Sequence, residues 1–285
     1  MTNEAAHDRQ SFEAQGLAFL RENIADKPEF DYAENRPPHS SRLAGTTVTL
    51  VGRDRPKRLL HAFRENQVDV EVTDGPGASG RRTTSYEAFE MAPNIFFVCY
   101  LASETGSVAM ALDLAKGVAT LVRGEMGSDG LVSSAESALV EVETGIYAGK
   151  GPGAGPASYQ PPFSLGGTRL LNTYAHNVAY EHIYLTGVYE TWLGVKGPEA
   201  GQADTEEYHA FKIDDGVYLV YWNEGILTVQ MTFLFNFLQG NCVAEVFGWV
   251  EGDRVHNTIG ANTRLIYTKL PELPGVTRLD MYSGE

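Results

Sequence analysis

The chain has 285 residues, 43% of them hydrophobic, which is enough for two ordinary domains that each bury a core. Its formal charge of −15, with no run of Lys or Arg to offset it, repels a nucleic-acid backbone and an anionic membrane surface alike. The opening MTNEAAHDRQ lacks the basic start and apolar run of a signal peptide, and no apolar stretch of about 18 residues follows, so the expectation is a soluble, cytoplasmic protein.

Residues Ser11 to Asn23 carry Phe12, Leu17, Phe19 and Leu20, with Ile24 just beyond, at helical spacing behind a Ser11 cap, and predict one short helix. Asp26 to Ser41, with Pro28, Pro37 and Pro38, reads as an extended lead-in, so that 1–40 forms an arm. Eight short segments rich in Val, Phe, Tyr and Thr follow: Thr46–Val51, Leu59–Arg64, Val68–Thr73, Thr84–Met91, Ile95–Leu101, Ser107–Leu114, Val118–Arg123 and Ala138–Tyr147. Turn residues separate them at hairpin spacing, as in an antiparallel meander. The Gly/Pro-rich stretch 150–162 has no apolar periodicity and reads as a linker between units 41–149 and 163–285. The second unit repeats the rhythm with Arg169–Ala175, Val178–Leu185, Tyr189–Val195, Glu207–Ile213, Val217–Trp222, Thr228–Phe237, Cys242–Val250 and Thr263–Tyr267.

The two units are copies. Gly75 to Tyr100 aligns without a gap on Gly197 to Trp222, 122 positions later, with eight of 26 residues identical. A repeat of about 120 residues is domain-sized, so one fold is used twice. Eight strands with hairpin connections predict an all-β protein of two tandem antiparallel barrels, since closing each sheet removes edges that would otherwise aggregate. An open sandwich is the alternative. Cys99 and Cys242 stand alone inside apolar runs and read as buried free thiols in a reducing compartment.

Strand alternation selects candidate interior faces. In Tyr180–Leu185 one face carries Tyr180, His182 and Tyr184; in Tyr218–Glu224 one face carries Tyr218, Val220, Trp222 and Glu224. Aromatic walls with a few ionisable groups are what a ligand-holding lumen requires, whereas the same rings packed against the other unit would be plain core.

The second unit, with Tyr180-Glu181-His182-Ile183-Tyr184-Leu185, the Gly197-Pro198 turn and Gly216-Val217-Tyr218-Leu219, resembles the C-terminal domain of the molybdenum cofactor biosynthesis protein F (MoaF) family, and the first unit its N-terminal domain. The resemblance covers residues 40 to 270 and implies lipocalin-like barrels. No phosphate cradle, Cys pair or basic pocket for a pterin phosphate accompanies it. More distantly, Gly216–Glu224 and Gly167–Tyr174 resemble strands of the phenolic acid decarboxylases. That likeness implies Glu224 as proton donor and Tyr174 as a carboxylate-holding group. The second family Tyr is replaced by Asn172, and the family Arg has no counterpart near Gly201-Gln202; only Arg81 and Arg82 of the first unit stand at a comparable place.

A carboxyl enclosed by Tyr174, Tyr218 and Trp222 loses solvation and is pushed toward the pKa range of a general acid, which makes Glu224 the leading candidate. Tyr174 and His182 join it as catalytic candidates, and Asn172, Tyr180, Tyr184, Tyr208, Tyr218 and Trp222 as substrate-binding ones. His176, His182 and His209 come from separate segments and announce no metal-ligand spacing, and no nucleophile elbow is present. In the first unit Ala102 stands where the second has Glu224, leaving Glu104, Arg81 and Arg82 as its only chemical groups of note. The sequence thus predicts a cofactor-free lyase or isomerase acting on a small aromatic or hydrophobic molecule in the second barrel, with no metal. A carrier with the same cage, or an accessory protein of molybdenum cofactor metabolism, is the alternative. A monomer and a homodimer are both left open.

Overall fold

The computed structural model describes residues 31–52, 58–74, 79–146, 159–225, 227–250, 252–270 and 273. The helix expected over Ser11–Asn23 and most of the linker lie outside them. Every regular element among the described residues is a strand.

The first eight, β1 (Thr47–Gly52), β2 (Arg58–Phe63), β3 (Gln67–Asp74), β4 (Ser79–Ala92), β5 (Ile95–Leu101), β6 (Gly106–Asp113), β7 (Val118–Gly127) and β8 (Gly130–Thr144), form a closed antiparallel meander in which β8 returns to β1. A two-residue strand, β9 (Pro162–Phe163), precedes the second set: β10 (Thr168–Ala175), β11 (Val178–Tyr184), β12 (Tyr189–Lys196), β13 (Ala203–Asp214), β14 (Val217–Asn223), β15 (Thr228–Asn236), β16 (Asn241–Val250) and β17 (Asp253–Tyr267). These also close, through β10–β17 and β12–β13, while β9 pairs with β13 beyond β12, on the edge away from β14. The aligned repeat segments occupy matching places, β4–β5 in the first barrel and β13–β14 in the second, so the duplication is structural as well as sequential.

Two strands run far longer than the hydrophobic pattern predicts: β8 starts at Gly130 and β17 at Asp253. Their early halves, GLVSSAES and DRVHNTIGAN, carry small and polar residues on one side, so tertiary pairing with β7 and β16 extends them where local signal is weak.

β5, β6 and β14 are buried along nearly their whole length because both faces are covered. One face lines a barrel. The other forms a seam between barrels in which Phe89, Phe97, Ala109 and Ala111 meet Phe211, Leu219, Leu234 and Val243. The first barrel's own interior is filled by Val48, Leu50, Phe96, Val98, Met110, Leu112 and Leu121. Within it His61 receives the Tyr100 hydroxyl at 2.7 Å, and burial lowers the His61 pKa to about 4, so the imidazole is neutral.

Residues 31–37 of the lead-in lie on the second barrel rather than the first. The Asn35 backbone N–H donates to Tyr174 O at 3.0 Å, and the Arg36 guanidinium donates to the backbone carbonyl and hydroxyl of Thr258 at 3.1 and 2.5 Å. Gly260 is required for this approach: a Cβ there would stand 2.5 Å from Arg36 Cα. Three residues further the Ser40 N–H donates to Ala88 O, so the lead-in straps one barrel to the other.

Candidate active site in the second barrel

Inward alternation from neighbouring strands builds one cavity. The pairings Tyr180↔Gly194 and His182↔Trp192 put Tyr180, His182, Trp192 and Glu190 on one inner surface. Trp222, Met231 and Phe233 face them from β14 and β15, and Trp222 stacks on Phe233 with centroids 5.1 Å apart. The cavity has a volume of about 310 Å³. Its walls are Tyr174, Tyr180, Trp192, Trp222 and Phe233, with Val229, Met231, Val246 and Ile259, and Tyr32 from the strap closing one side. Tyr32 and Tyr180 exchange a 3.2 Å hydroxyl contact, and their rings adjoin Tyr174 edge to face.

Glu224 follows the end of β14, where its backbone N–H donates to Val229 O. The same turn is tied to β13 by the Gly225 N–H, which donates to Glu206 Oε1 at 2.7 Å. Its carboxyl sits between two indoles: Trp222 Nε1 donates to Oε1 at 2.8 Å and Trp192 Nε1 to Oε2 at 3.2 Å. Burial raises its pKa to about 8, reinforced by the negative charge of Glu206, Glu190 and Glu199; the Trp222 hydrogen bond favours the anion and is outweighed. Near neutral pH the group is therefore mostly a protonated acid within a wall of rings.

Two further carboxyls belong to the same interior. Glu199 lies in the loop between β12 and β13 and accepts the Tyr180 hydroxyl. Gly194 fixes that loop against β12, since a Cβ there would meet Glu199 O at 2.0 Å. Glu190 is 0% exposed, and neither carboxylate oxygen has a hydrogen-bond donor among the described residues. His182 Nδ1 stands 3.4 Å from its Oε2. The His182 ring packs against Trp222 and Phe233.

Of the nine candidates read from the sequence, Glu224, Tyr174, His182, Tyr180 and Trp222 line this cavity. The other four do not, because the barrel is hollow at one end and solid at the other. Asn172 is fully buried and accepts from Thr263 Oγ1 at 2.7 Å. Tyr184 packs edge to face on Tyr208, whose hydroxyl donates to Thr186 O at 2.9 Å and receives the Leu165 N–H. Tyr218 packs against Phe163 and Phe237. The three histidines do not converge: His176 is exposed beside Glu34, and His209 is exposed and stacked on Tyr221 outside the barrel.

Sequence reasoning missed Tyr32, Trp192, Glu199 and Gln202. Trp192 was recoverable, since pairing the two predicted strands sets it opposite His182 on the same face. The first barrel shows what the site needs. His61 beside Tyr100 corresponds to His182 beside Trp222, but Val70 stands where Trp192 would and Ala102 where Glu224 would. Arg81 is held by Asp69 and Arg82 by Ala102 O, both outside the cavity. At the seam Cys99, Glu245 and His256 approach within 4.8 Å of one another, with Glu245 receiving the Ser107 hydroxyl and contacting His256 Nε2 at 2.9 Å. None of the described residues lining the cavity is Lys or Arg, so it does not fit a pterin phosphate or a substrate carboxylate held as an ion pair.

A model of the MoaF C-terminal domain matches residues 159–268, and one of the MoaF N-terminal domain matches 29–128. Protein MoaF of Klebsiella aerogenes is 26% identical over 232 residues, covering 78% of this chain and 86% of that protein. A crystal structure from Burkholderia vietnamiensis, described as a candidate β-lactamase, is 19% identical over 38% of this chain and 98% of its own, with a TM-score of 0.31.

Proposed function

The chain belongs to the MoaF family, with both of that family's domains present as closed barrels, and from this premise we propose that the second barrel binds a small aromatic molecule and transfers a proton to it from Glu224. The carrying observation is the Glu224 carboxyl, held by two indole N–H groups in the wall of a ring-lined cavity and kept protonated to about pH 8. A general acid works best when its pKa lies near the working pH, and its aim is fixed here by Trp192 and Trp222. Tyr174 and Tyr180 present hydroxyls that orient the ligand, and His182, paired with Glu190, is placed to hold or relay a proton. The reaction class is a cofactor-free lyase or isomerase step. That no Lys or Arg is among the described residues lining the cavity turns the reading away from decarboxylation of an anionic phenolic acid, despite Glu224 and Tyr174 sharing one cavity. The protein works in the cytoplasm, where the buried thiols Cys99 and Cys242 stay reduced.

The test uses hydrogen–deuterium exchange catalysed in heavy water, followed by NMR over a panel of small aromatic ketones and aryl amines, with N-phenyl-1-naphthylamine fluorescence reporting cavity occupancy. The wild type exchanges at least one compound. Glu224→Gln keeps the fluorescence titration and loses about a hundredfold or more of that rate. An unchanged rate in the Gln variant, or binding without exchange in the wild type, makes the barrel a carrier and overturns the acid role.

A further inference from the structure

The charge inside the second barrel is lopsided. The charges of Glu190, Glu199 and Glu206 lie close enough to Glu224 to disfavour its ionisation, and His182 is the only basic side chain among the described residues lining the cavity. Burying negative charge in an apolar barrel is costly unless protons or a cation neutralise it. Glu190 is fully buried with no hydrogen-bond donor on either oxygen among the described residues, and His182 Nδ1 stands 3.4 Å from it. Around the same space stand Tyr32, Tyr174, Tyr180, Trp192 and Trp222, and the face of an aromatic ring is the negative end of its quadrupole; Phe233 backs this wall, stacked between Trp222 and Phe235. Rings on several sides with carboxyls behind them form a box that attracts positive charge, Trp most strongly.

Resting on the reading of this cavity as the ligand site, we propose that its ligand is an organic cation: an aryl-substituted amine or quaternary ammonium, its charged nitrogen between Trp192, Trp222 and Tyr180 and beside Glu224 and Glu199, its apolar part toward Met231, Val246 and Ile259. For an amine the proton balance closes within the site. A neutral amine nitrogen takes the Glu224 carboxyl proton, the O–H bond breaks as the N–H bond forms, and an ammonium–carboxylate pair remains.

The experiment titrates the full chain calorimetrically at about pH 9 with three probes of similar size: benzyltrimethylammonium, benzyl alcohol and phenylacetate. The expected order is cation first, by about tenfold or more over the alcohol, with the anion weakest. Glu224→Gln lowers cation affinity by about tenfold and leaves the alcohol within about twofold. Val246→Trp, which fills the cavity, and Val255→Trp at its margin, each checked for an unchanged circular dichroism spectrum, abolish all binding. If the alcohol binds as tightly as the cation and the Trp variants abolish it, the ligand site stands and the cation assignment falls. If no probe binds, or binding ignores both Trp variants, the site reading fails and carries the assignment with it.

Discussion

Replacing Glu224 by Gln should make the protein less stable in acid and more stable in alkali, with the two stability curves crossing. In the folded chain the Glu224 pKa is about 8 against an ordinary value of 4.5, so the folded state holds a proton that the unfolded state releases. Below the ordinary value both states are protonated and the group is neutral to stability. As pH rises from there through 8 the wild type loses stability, because ionising the carboxyl in the barrel is harder than in water. At about 1.4 kcal/mol per pH unit the displacement sets a ceiling of roughly 5 kcal/mol, and water reaching the cavity makes about 2 to 3 kcal/mol a working figure. Gln is neutral throughout but can accept from only one of the two indoles, so it leaves one Trp N–H without its acceptor at about 1 kcal/mol. The variant should therefore be about 1 kcal/mol less stable at about pH 4 and below, cross the wild type a little above about pH 5, and be more stable by about 1 to 2 kcal/mol near pH 9. Glu199, His182, Tyr32 and Tyr180 line the same space and Glu190 and Glu206 act on Glu224 through their charge, so the difference between the two curves reports Glu224 together with its coupling to these groups. Urea unfolding followed by tryptophan fluorescence across that range gives the curves. Parallel curves would refute the argument, since they would mean that Glu224 ionises alike in the folded and unfolded chain.

Gly194→Ala should destabilise by about 2 kcal/mol or more and release the Glu199 loop, because the new methyl meets Glu199 O; thermal melting reads the first effect and altered cation binding the second. Tyr100→Phe leaves the buried His61 Nε2 without a partner and should cost about 1 to 3 kcal/mol in denaturant unfolding, while N-phenyl-1-naphthylamine binding in the other barrel stays unchanged. Tyr32→Ala opens the strap side of the cavity, and stopped-flow fluorescence should show the same probe leaving several-fold faster with a smaller change in stability.

Much of the architecture was legible because it rests on local, repeated signals. All sixteen expected strands are present, and Ile95–Leu101 even has its predicted bounds. The early parts of β8 and β17 were not legible, since their ladders are held by neighbours and their own side chains are small or polar. At the site, alternation put Tyr180, His182, Trp222 and Glu224 on inward faces correctly. Alternation cannot say where along a barrel the lumen is hollow, and so it also selected Tyr184 and Tyr218, which plug the closed end. Tyr32 and Glu199 come from a strap and a loop, and their presence depends on close backbone approaches at Gly260 and Gly194 rather than on any period in the sequence. Glu190 was hidden for another reason: a charged residue opening a strand reads as solvent-facing until its pairing with Tyr184 turns it inward.

The most direct measurement is the infrared carbonyl stretch of a protonated carboxyl, recorded as a difference between wild type and Glu224→Gln while pH is raised and again while benzyltrimethylammonium is added. A band present in the wild type near neutrality, fading around pH 8 and disappearing when the cation binds, is the predicted result. A difference spectrum with no such band, or one that fades in the ordinary carboxylate range, would contradict the claim that this barrel keeps an acid ready for its ligand.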